Sequence, residues 1–431
     1  MRRILASWLL AGAVGLLGGS PAAASSSEAP APDQVTAVSV APTISPVPVM
    51  GTDGRIHLPY ELLMVNFGSD PATIVSVQAV DRERPSRVLD SLTGSAVGSH
   101  FEIATIGGSP GPNAVIGPGQ EGIVWMDATV GDWSSVPSAI VHKVRVRFPT
   151  GQAGGLVPAD VTVTVAPTQV SSLPAPVIAP PLAGTRWFDA NGCCSTVTAH
   201  RGSVNPLDGR TNFPERSAID FIKLNDQNVL FTGSATELSS YAYYGTPVTS
   251  VADGEVVALQ DGLPNQVPTT EPPLGKLPLE DFAGNHVIEK FGYAGHTYYA
   301  LYAHMKPGSV SAHVHLGEHL HVGQQVGQLG NSGNSAAPHL HFQVMDRPTA
   351  LASQGIPYEF DRFQLRGRAA SGNVVDDVLA GQPFTFAPGV RPKEQTDRLP
   401  LYLDLVDFGP DPKPCGRAAT RSGGGPASLQ R

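Results

Sequence analysis

The sequence predicts a mostly β protein in two halves, and three observations carry that prediction. Charged residues make up only 15% of the 431-residue chain and hydrophobic ones 41%, while Gly (47) and Pro (40) are abundant. That balance suits short strands joined by turns, not helices. Apolar alternation with the two-residue period of a strand recurs in both halves, as in ATIVSVQAVD and TYYALYAHM. A Pro-rich stretch divides the halves, and ten of the thirteen histidines lie beyond it. The length allows two or three domains with substantial cores. A formal net charge of −9, with no dense Lys/Arg run past the first three residues, excludes nucleic acid as the partner. Phosphate binding needs a concentrated basic surface.

Residues 1–24 read as a secretory signal peptide. Met1-Arg2-Arg3 supplies the positive end, ILASWLLAGAVGLLG the apolar stretch, and Pro21-Ala22-Ala23-Ala24 the small-residue cleavage site. The apolar stretch is too short and Gly-rich for a membrane span, so no stable span is expected after cleavage. The expected location is secreted, in a bacterial periplasm, outside the cell or at its wall. Residues 25–36 form a disordered lead-in. From 37 to 167, IHLPYELLMVNF, EGIVWMDATV, AIVHKVRVRF and DVTVTVAP follow one another between polar Gly/Pro turns. Short strands at this spacing predict an immunoglobulin-like β-sandwich, as an architecture only, since the antibody-type cysteine pair is absent. His57, His100 and His142 stand alone there and suggest no catalytic constellation.

A Pro-rich linker, 168–186, should be extended and semi-rigid. The second half, 187–372, is again strand-rich, with YYGTPVTSVADGEVVAL, NHVIEKFG and TYYALYAHM. The stretch 261–284 reads as a long surface loop inserted between two strands. Residues 373–431 form a C-terminal extension, partly disordered. Of the three cysteines, Cys415 is expected to pair with Cys193 or Cys194 in an oxidising compartment, leaving one over.

Three pairs of histidines are spaced for one face of a strand: His313/His315, His319/His321 and His339/His341. The first two pairs lie among Ser311, Glu318 and glycine turns and read as solvent-facing. His339 and His341, in PHLHFQV behind the tight GNSGNSAAP loop, sit in an apolar run. A hydrolytic zinc site needs three His or carboxylate ligands and an open position for water. It also needs a base for the water's proton and a donor for the oxyanion. Asp220 in RSAIDFIKL is a carboxylate among apolar neighbours, costly unless paired or metal-bound. His304 in YALYAHMKPG ends an apolar strand before a Pro-Gly turn.

In combination, AIDF, YYGTPVTSVADGEVV, LYAHMKPG and GQQVGQLGNSGNSAAPHLHFQV resemble the peptidase M23 family, the lysostaphin-like zinc metallopeptidases that cut peptide cross-links of bacterial peptidoglycan. The resemblance covers roughly residues 200–345. It implies an antiparallel β-sheet domain with a peptide groove, Zn2+ as cofactor and the peptidoglycan peptide as substrate. It also implies Asp220 and His341 as zinc ligands, with His304 and His339 as the catalytic pair. One departure is clear: where the family carries a histidine four residues before the aspartate, this chain has Arg216. A guanidinium has no lone pair to offer a metal. Either the site is degenerate, or another histidine fills the vacancy. His200 is the candidate third ligand, because Asn205-Pro206 and Asp208-Gly209 are turn signals that can fold it back toward Asp220. Arg216 would then pair with Asp220 or bind a substrate carboxylate. The sequence therefore points to a secreted zinc endopeptidase acting on peptidoglycan. The alternative is a catalytically silent domain of the same type that binds peptidoglycan or regulates another wall hydrolase. The sandwich reads as a binding, spacing or autoinhibitory module.

Overall fold

A computed structural model describes residues 33–409 except 106, 107, 109, 274, 371 and 372. The signal peptide, most of the lead-in and the tail with Cys415 lie outside these residues. The first half opens with β1 (Val38–Pro42), β2 (Ile56–Asn66), β3 (Ala72–Asp81) and β4 (Val88–Thr93). It continues with β5 (Phe101–Ile103), β6 (Glu121–Val130), β7 (Ala139–Arg147) and β8 (Asp160–Gln169). One sheet runs β1-β2-β6-β5 and the other β8-β7-β3-β4, each with a short fifth strand paired beside it. The two sheets share one core. Leu58, Tyr60, Leu62, Val124 and Met126 from the first meet Ile74, Val77, Val144 and Val146 from the second. Alternation assigns these residues to the inner faces, which makes a β-sandwich.

The outer face of β2 and β6 is also buried, which a free sandwich would not require. Ile123 and Trp125 of β6 pack there against Phe213 of the second half. Glu61, between them and the second half, has no exposure at all. The described residues from Thr36 onward thus form one compact unit.

The second half is built on an eleven-stranded antiparallel sheet. Its main strands are β9 (Gly184–Ala190), β10 (Ile219–Lys223), β11 (Gly254–Gln260), β12 (Asn285–Tyr293) and β13 (His296–Met305). They are completed by β14 (Leu340–Met345), β15 (Phe363–Arg368) and β16 (Asp404–Phe408). The order is β11-β12-β13-β14-β10-β9-β16-β15, so β16 sits inside the sheet and the sheet continues well past residue 372. The Pro-rich stretch runs along this half. Val177–Ile178 pair with Glu359–Phe360, and the hydroxyl of Tyr298 donates to the Pro174 carbonyl at 2.6 Å. The segment 261–284 does lie between two strands, β11 and β12. It is braced against the glycine-rich loop, with Gln266 N–H donating to Asn331 O and Thr269 N–H to Ala336 O, both at 2.7 Å.

The cysteine expectation is corrected: Cys193 and Cys194 form a disulfide with each other. Both are buried in the second half's core, so neither thiol is left for a distant partner. Among the described residues no helix is long and apolar enough to cross a membrane.

Candidate metal centre

Three neighbouring strands converge on one point. Asp220 of β10 lies opposite His341 of β14, and Ala303 of β13 faces His341 from the other side. In a straight strand His304 would point away from the face that Ala303 shares with His341. His304 instead has a φ of 62°, a left-handed conformation that costs a non-glycine residue energy and is retained only when surroundings enforce it. Its ring comes to 4.6 Å from that of His339 and 5.7 Å from that of His341, centroid to centroid.

His200 arrives from outside the sheet. The chain from Asn205 to Asn212 is a hairpin whose turn residues, Asp208 and Gly209, have φ of 51° and 72°. Two left-handed residues make the tight turn that suits an Asp-Gly pair. The chain doubles back there, and His200 Nε2 ends 3.1 Å from Asp220 Oδ2. On the other carboxylate oxygen, His341 Nδ1 lies at 3.0 Å and His339 Nε2 at 3.3 Å from Asp220 Oδ1. All five residues singled out in the sequence therefore meet in one cluster.

Each ring is held by the nitrogen that faces away. Nδ1–H of His200 donates to Ala218 O at 3.2 Å, Nδ1–H of His304 to Ser332 O at 2.8 Å, and Nδ1–H of His339 to Ala337 O at 2.8 Å. His341 is turned the other way: its Nε2–H donates to Gln343 Oε1 at 2.8 Å. A carbonyl can only accept, so these bonds fix the tautomers. In the neutral rings, lone pairs at Nε2 of His200, His304 and His339 and at Nδ1 of His341 face inward. Asn191 completes the shell by donating Nδ2–H to Asp220 Oδ2 at 3.0 Å. Gln343 and Asn191 were not foreseen, although alternation along PHLHFQV puts Gln343 on the same face as His341.

The glycine-rich loop earns its composition by close approach. A Cβ on Gly330 would stand 2.3 Å from Lys306 N, and one on Gly333 would stand 2.3 Å from Gly284 N. Only glycine lets Ser332 O reach His304 and Ser335 Oγ come within 3.2 Å of His339 Nδ1.

Electrostatics sort the groups. Burial alone would raise the pKa of Asp220, but His200 and His339 hold it well below the usual carboxylate range. His200 is lowered by burial, yet Asp220 overrides this and lifts it to about 9. Burial and the rings of His339 and His341 push His304 well below its ordinary value, so it stays neutral.

Two sets of ligand atoms lie mutually within 4.8 Å: His200, Asp220 and His341, and His304, His339 and His341. The first offers two imidazoles and a carboxylate, with every outer nitrogen tied down, and it fits Zn2+. A third set, His57, Asp127 and Cys194, is equally close, but the Cys194 sulfur is committed to its disulfide. His313 is half-buried, and His315, His319 and His321 are exposed. None of the four joins the cluster.

Arg216 points elsewhere, which corrects its expected pairing with Asp220 or a substrate. Its Nε donates to Glu61 Oε1 at 2.9 Å and its Nη2 to Glu61 Oε2 at 2.6 Å, while Nη1–H reaches Gly355 O at 2.8 Å. The carboxylate of Glu61, on the sandwich, outcompetes Asp220 because Asp220 already has imidazole partners.

Residues 238–353 match the family model for peptidase family M23. The match includes His304, His339 and His341 and begins after His200 and Asp220. The peptidoglycan DD-endopeptidase ShyA of Vibrio cholerae is 30% identical over 147 residues, which span 33% of this chain and 28% of that protein. Two solved structures are also similar. The catalytic domain of lysostaphin from Staphylococcus simulans is 21% identical, covering 35% of this chain and 78% of that one at a TM-score of 0.20. A zinc-containing peptidase from Vibrio cholerae is 17% identical, covering 70% of this chain and 82% of that one at a TM-score of 0.21. Over residues 238–353 this chain is therefore similar to peptidase family M23.

Proposed function

We propose that the protein is a zinc-dependent endopeptidase, exported from a bacterial cell, that hydrolyses the peptide cross-links of peptidoglycan. The observation that carries this reading is the convergence of His200, Asp220, His341, His304 and His339 with their outer nitrogens tied down. The family match supports the peptidase class, and the similarity to a peptidoglycan DD-endopeptidase supports the substrate.

His200 Nε2, the Asp220 carboxylate and His341 Nδ1 would hold Zn2+. When bound, the ion supplies Lewis acidity that polarises a carbonyl and acidifies water. Neutral His304 takes the proton of the attacking water at Nε2, because its Nδ1–H is occupied by Ser332 O. His339, whose Nε2 faces the site 3.3 Å from Asp220 Oδ1, is placed to assist at the oxygen that becomes negative as the scissile carbonyl turns tetrahedral. The proton on His304 then passes to the leaving amide nitrogen, and the peptide bond breaks.

The silent-domain reading rested on Arg216. A third ligand at His200 removes the need for a histidine at that position and favours the active one. Zinc content and digestion of purified peptidoglycan test the proposal. About one zinc per chain and release of cross-link cleavage products are expected. A zinc-loaded protein that leaves cross-links intact would return the silent reading.

A further inference from the structure

We infer that Glu61, on the N-terminal sandwich, is a positioning residue of the metal centre: it fixes Arg201 and Arg216, and so the two segments that carry His200 and Asp220. The inference rests on the reading of His200 as a zinc ligand. Glu61 is fully buried, where an ionised carboxylate is tolerable only if every oxygen is bonded. It receives Thr43 Oγ1–H at 2.8 Å, two nitrogens of Arg216 and Nη1 of Arg201. Burial would raise its pKa, but Arg216 and Arg201 bring it down to about 2, so it remains charged.

Arg201 spends its remaining donors on main chain. Its Nη2 reaches Tyr60 O at 3.0 Å and Met126 O at 2.9 Å, and its Nε reaches Cys194 O at 3.3 Å. The guanidinium is thus pinned to adjacent sandwich strands, β2 and β6. One peptide unit away is His200, and consecutive Cα atoms stand only about 3.8 Å apart. Apart from Asp220, the ring of His200 has one hydrogen bond, the 3.2 Å contact to Ala218 O. Its place is therefore set largely by the backbone that Arg201 anchors. Ala218 and Asp220 follow Arg216 by two and four residues, so the same carboxylate fixes the opposite wall. The guanidiniums would repel each other without Glu61 between them. The sandwich is thereby part of the metal centre, not a module tethered beside it.

The test compares full-length wild type with Glu61→Gln, Arg201→Lys and His200→Ala. It reads Zn2+ affinity by chelator competition and the visible spectrum of bound Co2+, on protein shown to be folded by circular dichroism. Glu61→Gln is expected to lower Zn2+ affinity about 10–100-fold, as removal of ligand-orienting partners does elsewhere. Its Co2+ spectrum should shift toward that of His200→Ala. A merely structural role would lower the melting temperature and leave the affinity and spectrum of the folded protein unchanged. That result, with His200→Ala impaired, overturns the inference and leaves the His200 reading standing. Wild-type affinity in His200→Ala overturns the reading beneath it. Should Glu61→Gln fail to fold, Arg201→Lys decides, because it keeps the charge but loses the fork: wild-type affinity and spectrum there overturn the inference.

Discussion

Two carboxylates in this chain, Glu61 fully buried and Asp220 half-buried, have opposite fates. Glu61 is met by two arginines and Asp220 by three histidines. A guanidinium is always charged and has no lone pair, so the Glu61 cluster can only clamp. An imidazole can give up its proton and offer a lone pair, so the Asp220 cluster can bind a metal and move protons. The partner type, not the carboxylate, separates a clamp from a reactive centre. At Glu61 burial leaves no water to do the job, so both its oxygens find protein donors.

Removing a member of the Asp220 cluster has the largest expected effect. Asp220→Ala should abolish zinc binding, seen as near-zero metal per chain. His304→Ala and His339→Ala should keep zinc and lose about 10²–10⁴-fold in kcat, the usual worth of a positioned acid or base. Zinc loss in either variant would move that histidine from the catalytic pair to the ligand set.

Next comes the clamp. Arg216→Ala strands part of a buried charge and should cost about 3–5 kcal/mol in denaturant unfolding. Arg216→His, which restores the family's residue, should cost a similar amount and add no zinc ligand, since position 216 faces Glu61. A gain in Zn2+ affinity in that variant would break the contrast.

The two clusters should also fail at opposite ends of the pH scale in metal-free protein. Glu61 is depressed from 4.5 to about 2. Its contribution is complete above pH 4.5 and lost as the pH falls through 2. His200 is raised from 6.5 to about 9. Its contribution is complete below pH 6.5 and lost as the pH rises through 9. Each is worth on the order of 3 kcal/mol. Unfolding curves across pH, with Glu61→Gln and His200→Gln each flattening only its own limb, check this. The smallest effect is at Gln343: its change to Leu frees the His341 ring and should weaken Zn2+ binding about 10–100-fold without removing it.

Much of the Asp220 cluster was legible because its signals are local. PHLHFQV and AIDF place a histidine or an acid in an apolar strand, and Asp208-Gly209 announced the turn that brings His200 back. Gln343 was equally local but went unread, since a glutamine carries no metal signature of its own. The clamp was not legible. Glu61 lies 155 residues before Arg216 in an alternating strand that reads as half-exposed, and only tertiary contact reveals that its outer face is covered. The Cys193–Cys194 bond escaped for a related reason: without the fold, Cys415 was an equal partner. The position of β16 inside the sheet was hidden too, behind a stretch rich in Pro and charge.

The central claim is that His200 holds the metal in place of a residue at 216. X-ray absorption at the zinc edge of loaded wild type and His200→Ala tests it most directly. The account predicts two imidazoles in the wild-type shell and one in the variant. Identical spectra with undiminished zinc would contradict it.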